Sequence, residues 1–222
     1  MKSATQPEHV VRCRAVLFDF DGVIADTMQA NLAAWQQAFL AYGVRIQPED
    51  YLPLEGMSPA DVASTLAAKY ALGAQAAQEA PGLKEKFFLA GKSCKVFPII
   101  PALLPELRAA GLLLALVTGA SKMRIESTLP REVLALFDAC VTADCTARGK
   151  PAPDPFLHAA GSLGLEPGDC VVVENAPLGI ASAKRAGMRC IAVCSTLGPD
   201  SLSEADYIAS DLEEVRRLLL TK

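Results

Sequence analysis

Four apolar residues, Ala15-Val16-Leu17-Phe18, run directly into Asp19-Phe20-Asp21-Gly22. A short uninterrupted apolar run is the pattern of a strand buried on both faces, which implies a parallel sheet covered by helices. Two carboxylates one residue apart then stand where such a strand must end, and Gly22 frees the backbone to turn. In open α/β sheets, ligands bind beyond the carboxyl ends of the strands. Asp19 and Asp21 therefore occupy the place where chemistry is expected. An Asp-x-Asp at a strand end also serves as a plain turn and helix-cap signal, so the remaining strand ends decide between the two uses.

Downstream, the pattern first becomes helical. Asp26-Thr27 is a plausible N-cap, and Met28, Leu32, Trp35, Phe39 and Tyr42 form one stripe at spacings of four and three, with Gly43 closing the helix. Ser58-Pro59-Ala60-Asp61 has the form of a capping box and starts a second helix that ends at Gly73. Helical bias continues over 74–80, Pro81-Gly82 is expected to break it, and a further helix is expected over 83–93. No strand is expected between Met28 and Val96. Phe97-Pro98-Ile99-Ile100-Pro101 then reads as a stiff return segment that pairs with the exit near 25–27 as a hinge.

Past that return, strand alternates with helix. Apolar runs at 112–117, 139–142, 170–173 and 190–193, with a short one at 207–209, are separated by helices over 101–110, 122–129, 133–136, 154–164, 177–186 and 211–220. Fold class follows: α/β, a doubly wound parallel sheet with a Rossmann-like core and an inserted small helical cap domain. The expected boundaries are 14–27 and 98–222 for the core, 28–97 for the cap and 1–13 for a flexible tail.

Composition narrows the partners. The 222 residues carry a net charge of −4 without a basic stripe, which argues against nucleic acid. No apolar run reaches membrane-spanning length. Seven cysteines without a Cys-x-x-Cys pair suit small reduced core residues, hence a cytoplasmic protein, expected to be a monomer or a dimer. Two histidines, His9 and His158, support neither a zinc site nor a His-based triad.

The chemistry lies in what stands at the strand ends. The first offers Asp19 and Asp21, the second Thr118 and Gly119, the fourth Glu174 and Asn175, and Gly149-Lys150-Pro151 lies between the third and fourth strands. In a parallel sheet these ends share one edge. Carboxylates with a carboxamide oxygen suit a hard cation such as Mg²⁺. A hydroxyl, a backbone N–H and a lysine suit phosphate oxygens. Such a set describes metal-assisted phosphoryl transfer.

Asp19-Phe20-Asp21-Gly22-Val23, Val117-Thr118-Gly119, Lys150-Pro151-Ala152-Pro153-Asp154 and Val173-Glu174-Asn175 together resemble, in order, the four motifs of the haloacid dehalogenase-like hydrolase superfamily, and the helical insertion stands where that family's small cap stands. The resemblance covers about 16–209. It implies an Mg²⁺-dependent phosphatase acting on a small phosphorylated metabolite, a sugar or nucleoside monophosphate. Asp19 would attack phosphorus. Asp21 would act as general acid and then base, with its backbone carbonyl on the metal. Thr118 and Gly119 would hold phosphoryl oxygens, Lys150 would neutralise charge, and Asp19 with Glu174 and Asn175 would complete the metal site.

Asn175 departs from the Glu-Asp pair of many relatives, which removes one charge and leaves room for a non-catalytic phosphate-binding or regulatory protein. Retention of Asp19, Asp21, Thr118 and Lys150 favours the enzyme. Dehalogenation needs no general acid at Asp21, and no lysine stands in the loop after the first cap helix to form a phosphonatase Schiff base. The competing reading is a sugar-phosphate mutase, because the resemblance extends to the β-phosphoglucomutases. Their cap histidine position is Asn31 here, and Glu55 and Pro59 stand where their lysine and arginine would bind a second phosphate. Hydrolysis without isomerisation is therefore expected. Asn31 and Glu55 are the candidates to hydrogen-bond hydroxyls of the leaving group, with a water-facing Glu55 as the other reading.

Overall fold

The structure, a computed structural model, describes residues 11–91 and 95–220. Lys92, Ser93, Cys94 and the first ten residues lie outside them, including His9, most of the expected tail and the end of the expected helix over 83–93. Val11 is buried and donates its N–H to Leu218 O at 3.0 Å. The packed core thus begins before the expected tail boundary at residue 13.

Along the chain, strand β1 (Ala15–Phe18) is followed by β2 (Ala25–Asp26), four helices, and β3 (Lys95–Val96). The rest alternates: helix α5 (Ile100–Ala109) and β4 (Leu113–Val117), α6 (Lys122–Thr128) and α7 (Arg131–Leu134) before β5 (Ala139–Val141), then α8 (Asp154–Ser162), β6 (Cys170–Glu174), α9 (Pro177–Arg185), β7 (Arg189–Val193), β8 (Tyr207–Ala209) and α10 (Leu212–Leu220). Six strands form one sheet in the order β5-β4-β1-β6-β7-β8, and every pairing in it is parallel.

Side-chain alternation explains why helices cover both faces. Val16 and Phe18 of β1 join Leu114, Leu116, Val171 and Val173 on one face. Ala15 and Leu17 join Ala115, Val117, Cys170 and Val172 on the other. Both sets are apolar, so neither face tolerates water, and the doubly wound arrangement buries each. The register pairs Phe18 with Leu116 and with Val173. Consequently Asp19, Thr118 and Glu174 emerge at the same edge of the sheet.

The inserted helices are α1 (Met28–Leu40), α2 (Pro48–Tyr51), α3 (Pro59–Lys69) and α4 (Ala74–Gly91), with a separate core around Trp35, Phe39, Tyr51, Val62 and Leu66. Two features differ from expectation. Pro81-Gly82 does not break the chain into two helices, because α4 runs through it. Ala76, Ala80, Lys84 and Phe88 are buried at an unbroken spacing of four, and packing along that stripe against α1 and α3 outweighs the one hydrogen bond that Pro81 lacks. The second difference is β2 with β3, a two-residue antiparallel pair in which Ala25 faces Val96 and Asp26 faces Lys95. Extended by the bond from Phe97 N to Ile24 O at 3.0 Å, it ties the outgoing and returning connections together. Among the described residues no helix is long and apolar enough to cross a membrane.

Candidate active site

Lys150 is the hub of one half of the site. Its Nζ, almost wholly buried, donates to Asp19 Oδ1 at 2.6 Å, to Glu174 Oε1 at 2.7 Å and to Val117 O at 3.2 Å. Burial alone would drive the ammonium pKa down, but the Asp19 and Glu174 carboxylates more than offset this and hold Lys150 above its ordinary value. Burial pushes the Asp19 carboxyl up, opposed by Lys150, with Glu174 and Asp21 adding to the rise. Glu174 accepts at its second oxygen from Asn175 N at 2.8 Å and Ala176 N at 3.0 Å. Both of its oxygens are therefore engaged within the protein. Its closeness to α9 explains Gly179: a Cβ there would lie 1.7 Å from Glu174 Oε1.

Asp21 lies in a different environment. Arg124 Nη2 donates to both of its oxygens, at 2.6 Å to Oδ1, while Thr27 Oγ1 reaches Oδ1 at 2.5 Å and Asn31 Nδ2 at 3.0 Å. Burial would raise the Asp21 carboxyl; Arg124 first, then Lys84, Thr27 and Asn31 overcome that and hold it below the usual range. The two carboxylates of one turn are thus tuned apart: burial raises Asp19 despite Lys150, whereas a guanidinium and cap groups lower Asp21 despite burial. Thr27 begins α1 but makes no side-chain cap bond, because its hydroxyl is committed to Asp21.

The turn that carries them needs Gly22. Its φ is +79°, and a Cβ would come within 2.2 Å of Asn175 Nδ2. Asn175 in turn donates through Nδ2 to Thr196 Oγ1 at 2.9 Å. Thr118 Oγ1 accepts from Ala120 N at 3.0 Å, a bond within its own turn.

The cap closes over this edge. A Cβ on Gly119 would lie 3.1 Å from Met57 O, and one on Gly56 would lie 3.9 Å from Lys150 Cδ. Beneath the loop is a cavity of about 40 Å³ lined by Asp19, Asp21, Asn31, Glu55, Lys84 and Arg124 among others. Such a space holds a few water molecules at most. Glu55 does not face bulk water: it is 5% exposed, and neither carboxylate oxygen has a hydrogen-bond partner among the described residues. Burial, with the Asp21, Asp19 and Glu174 carboxylates adding to it, raises its pKa to about 8.

Of the residues picked from the sequence, Asp19, Asp21, Asn31, Glu55, Gly119 and Asn175 line this cavity, Lys150 and Glu174 adjoin it through the Lys150–Asp19 bond, and Thr118 lies outside its lining. Asn31 is nonetheless engaged inward, between Asp21 and Arg124 Nη1, the latter at 3.2 Å. Two cations escaped the sequence reading. Arg124 sits early in α6, where a cation opposes the helix dipole; that broken local rule was a usable signal. Lys84 occupies a buried position of the α4 stripe, its Nζ 4.8 Å from the Phe88 ring centroid and 5.9 Å from that of Trp35. The cap loop over 54–59 carries Glu55 and Pro59 and no cation, whereas a cap cation, Lys84, reaches the cavity from α4.

Comparison with known proteins agrees with this geometry. The model of the haloacid dehalogenase-like hydrolases matches residues 16–193. The chain belongs to that family. SUPPRESSOR OF QUENCHING 1, a chloroplastic protein of Arabidopsis thaliana, is 36% identical over 86% of this chain, which spans 19% of that much longer protein. Hexitol phosphatase A of Escherichia coli is 32% identical, covering 92% of this chain and 94% of its own. A crystal structure of β-phosphoglucomutase from Clostridium difficile shares the fold, with a TM-score of 0.80, 22% identity and 93% and 97% of the two chains covered.

Donor chemistry fits a divalent cation, which phosphatases of this family generally use. The Asp19 carboxylate, the Asp21 backbone carbonyl and the Asn175 carboxamide are all oxygen donors, the kind a hard cation with retained waters accepts. Glu174 is a further oxygen donor, with Oε2 accepting two backbone N–H groups and Oε1 accepting from Lys150.

Proposed function

We propose that this haloacid dehalogenase-like phosphatase is Mg²⁺-dependent and hydrolyses a small phosphomonoester of a sugar or nucleoside in the cytoplasm, through an aspartyl-phosphate on Asp19. One observation carries the reading: two carboxylates of a single turn are held by different partners, Asp19 by Lys150 and Asp21 by Arg124, Thr27 and Asn31. A nucleophile and a separate acid–base group are what a two-step displacement needs. The name of hexitol phosphatase A supports a polyol or sugar phosphate as the substrate.

In the first step an Asp19 oxygen bonds to phosphorus and the bond from phosphorus to the ester oxygen breaks. The leaving oxygen takes a proton from Asp21, whose carboxyl, held ionised by Arg124, must first turn out of that grip and take up a proton from water. Lys150 neutralises charge shared by Asp19 and the phosphoryl group, and Glu174 orients Lys150. Thr118 and Gly119 hold phosphoryl oxygens. In the second step water attacks phosphorus, Asp21 accepts its proton, and Asp19 is released with phosphate. A divalent cation held by Asp19, the Asp21 carbonyl, Glu174 and Asn175 would, when bound, offset repulsion between carboxylate and phosphate.

Purified protein with p-nitrophenyl phosphate and a panel of sugar and nucleoside monophosphates, with and without Mg²⁺, tests this. Mg²⁺-dependent phosphate release is expected. A folded protein inert on every compound supports the non-catalytic phosphate-binding reading.

Lys84 and Arg124, as buried cations in the leaving-group cavity, favour one second reading, a β-phosphoglucomutase-like mutase. β-Glucose 1-phosphate with a trace of the 1,6-bisphosphate separates them: glucose 6-phosphate forming faster than free phosphate establishes the mutase.

A further inference from the structure

Buried polar side chains in native proteins are hydrogen-bonded, yet Glu55, 5% exposed, has neither oxygen paired among the described residues. It lines the cavity that also holds Asp19 and Asp21. The next residue, Gly56, lies over Lys150, and Met57 O is against Gly119, so this loop is seated directly on the phosphate end of the site. An alcohol esterified to a phosphate at Asp19 would therefore present its carbons nearest the ester to Glu55.

Glu55 accepts no hydrogen bond from the cations of the cavity. Arg124 is bonded to Asp21 and Asn31, and Lys84 stands over the Trp35 and Phe88 rings, 3.9 Å from Glu85. The charges that act on Glu55 are the carboxylates of Asp21, Asp19 and Glu174. Met28, Trp35, Leu54 and Val62 add an apolar stretch to the wall, beside the polar Tyr51, Asn31 and Asn175.

We propose that Glu55 determines specificity: the substrate is a phosphomonoester whose alcohol carries further hydroxyl groups beside the ester and no second anion. This deepens the phosphatase reading above and rests on it. A carboxyl group accepts hydrogen bonds at both oxygens and, when protonated, donates one. Hydroxyls complement either form, and the C–H faces of the same polyol suit the apolar stretch of the wall. A second phosphate or a carboxylate brings no donor and is repelled by the neighbouring carboxylates. A site built around a hydroxyl rejects the analogue lacking it, because its own polar group is then left unpaired.

The test uses carbon-matched pairs, glycerol 1-phosphate against propyl phosphate and sorbitol 6-phosphate against hexyl phosphate, with Mg²⁺ in wild type, Glu55→Gln and Glu55→Leu. The ratio of kcat/KM within each pair, compared between proteins, cancels intrinsic reactivity. Expected is a wild-type preference for the hydroxylated member that falls at least about 10-fold in Glu55→Leu and less in Glu55→Gln. If Glu55→Leu does not fold, the wild-type ratio and the Gln variant still decide. Turnover with ratios unchanged in the variants, or a wild-type preference for 3-phosphoglycerate over glycerol 1-phosphate, overturns the role of Glu55 alone. A wild type inert on these compounds and on p-nitrophenyl phosphate overturns the phosphatase reading and this inference with it.

Discussion

Arg124 Nη2 grips both carboxylate oxygens of Asp21, while Nη1 of the same guanidinium reaches Asn31 on the first cap helix. The ring of Phe88, on the last cap helix, lies 4.4 Å from its Cζ. One core residue thereby touches the acid–base group and two cap helices. Removing one partner of such a pair strands the other charge. Because the Asp21 side chain is 24% exposed, Arg124→Ala is expected to cost about 2–3 kcal/mol in urea unfolding at neutral pH, with Arg124→Lys recovering part of it. The Asp21 pKa is lowered in the folded state, so this contribution exists above its ordinary value of 3.8 and is lost as pH falls further. The deficit of the Ala variant should accordingly shrink in acid.

Glu55 has the opposite sign. Its pKa is raised from 4.5 to about 8, so folding favours the protonated form. Its stabilising effect is complete below 4.5 and is lost as pH rises toward 8, at no more than about 1.4 kcal/mol per unit. Unfolding free energies at pH 5 and pH 8 should therefore differ more in wild type than in Glu55→Gln, by up to about 3.5 kcal/mol over that window. Equal differences in the two proteins would rule out a buried carboxyl at this position.

Gly179→Ala probes the Lys150 hub without altering a charged group. The new methyl would collide with Glu174 Oε1, and Glu174 is fully buried and bonded to Lys150. Overpacking together with a displaced hydrogen bond predicts a loss of about 2–4 kcal/mol, or roughly 5–10 °C in Tm by calorimetry. A decrease in kcat should accompany it, because Lys150 loses its orienting partner.

For the aspartates, Asp19→Asn should abolish turnover, and Asp21→Asn should slow it by about 10²–10⁴-fold. Initial rates with p-nitrophenyl phosphate measure both. Near wild-type rates in Asp19→Asn would exclude the covalent route.

Closure is the last prediction. A cavity of about 40 Å³ is too small for a sugar phosphate, so the cap is expected to lift, with the paired connections at Ala25–Asp26 and Lys95–Val96 as its pivot. Ser121 Oγ donates to Glu85 Oε1 at 2.9 Å across the closing face. Small-angle scattering should show compaction when Mg²⁺ and beryllium fluoride are added, and a smaller change in a variant with the hinge residue Ala25 replaced by Pro.

Asp19, Asp21, Thr118, Lys150, Glu174 and Asn175 were legible because strands buried on both faces are uniformly apolar, so polar residues at their ends stand out and the parallel register gathers them on one edge. Strand order beyond that, and the helix through Pro81, were not. Four buried positions spaced by four residues look the same whether or not a proline interrupts them, and only contact with α1 and α3 shows that packing wins.

By itself, then, the amino-acid sequence determined the sheet, its catalytic edge and the chemistry placed there, since these follow from local polarity and period. The tertiary structure alone decided which long side chains turn inward. Arg124, Lys84 and Glu55 belong to residue types that a linear pattern assigns to solvent. They are buried because the cap folds back across the sheet edge, and charge separated by 93 residues in the chain becomes a hydrogen bond between Arg124 and Asn31 only when that contact forms.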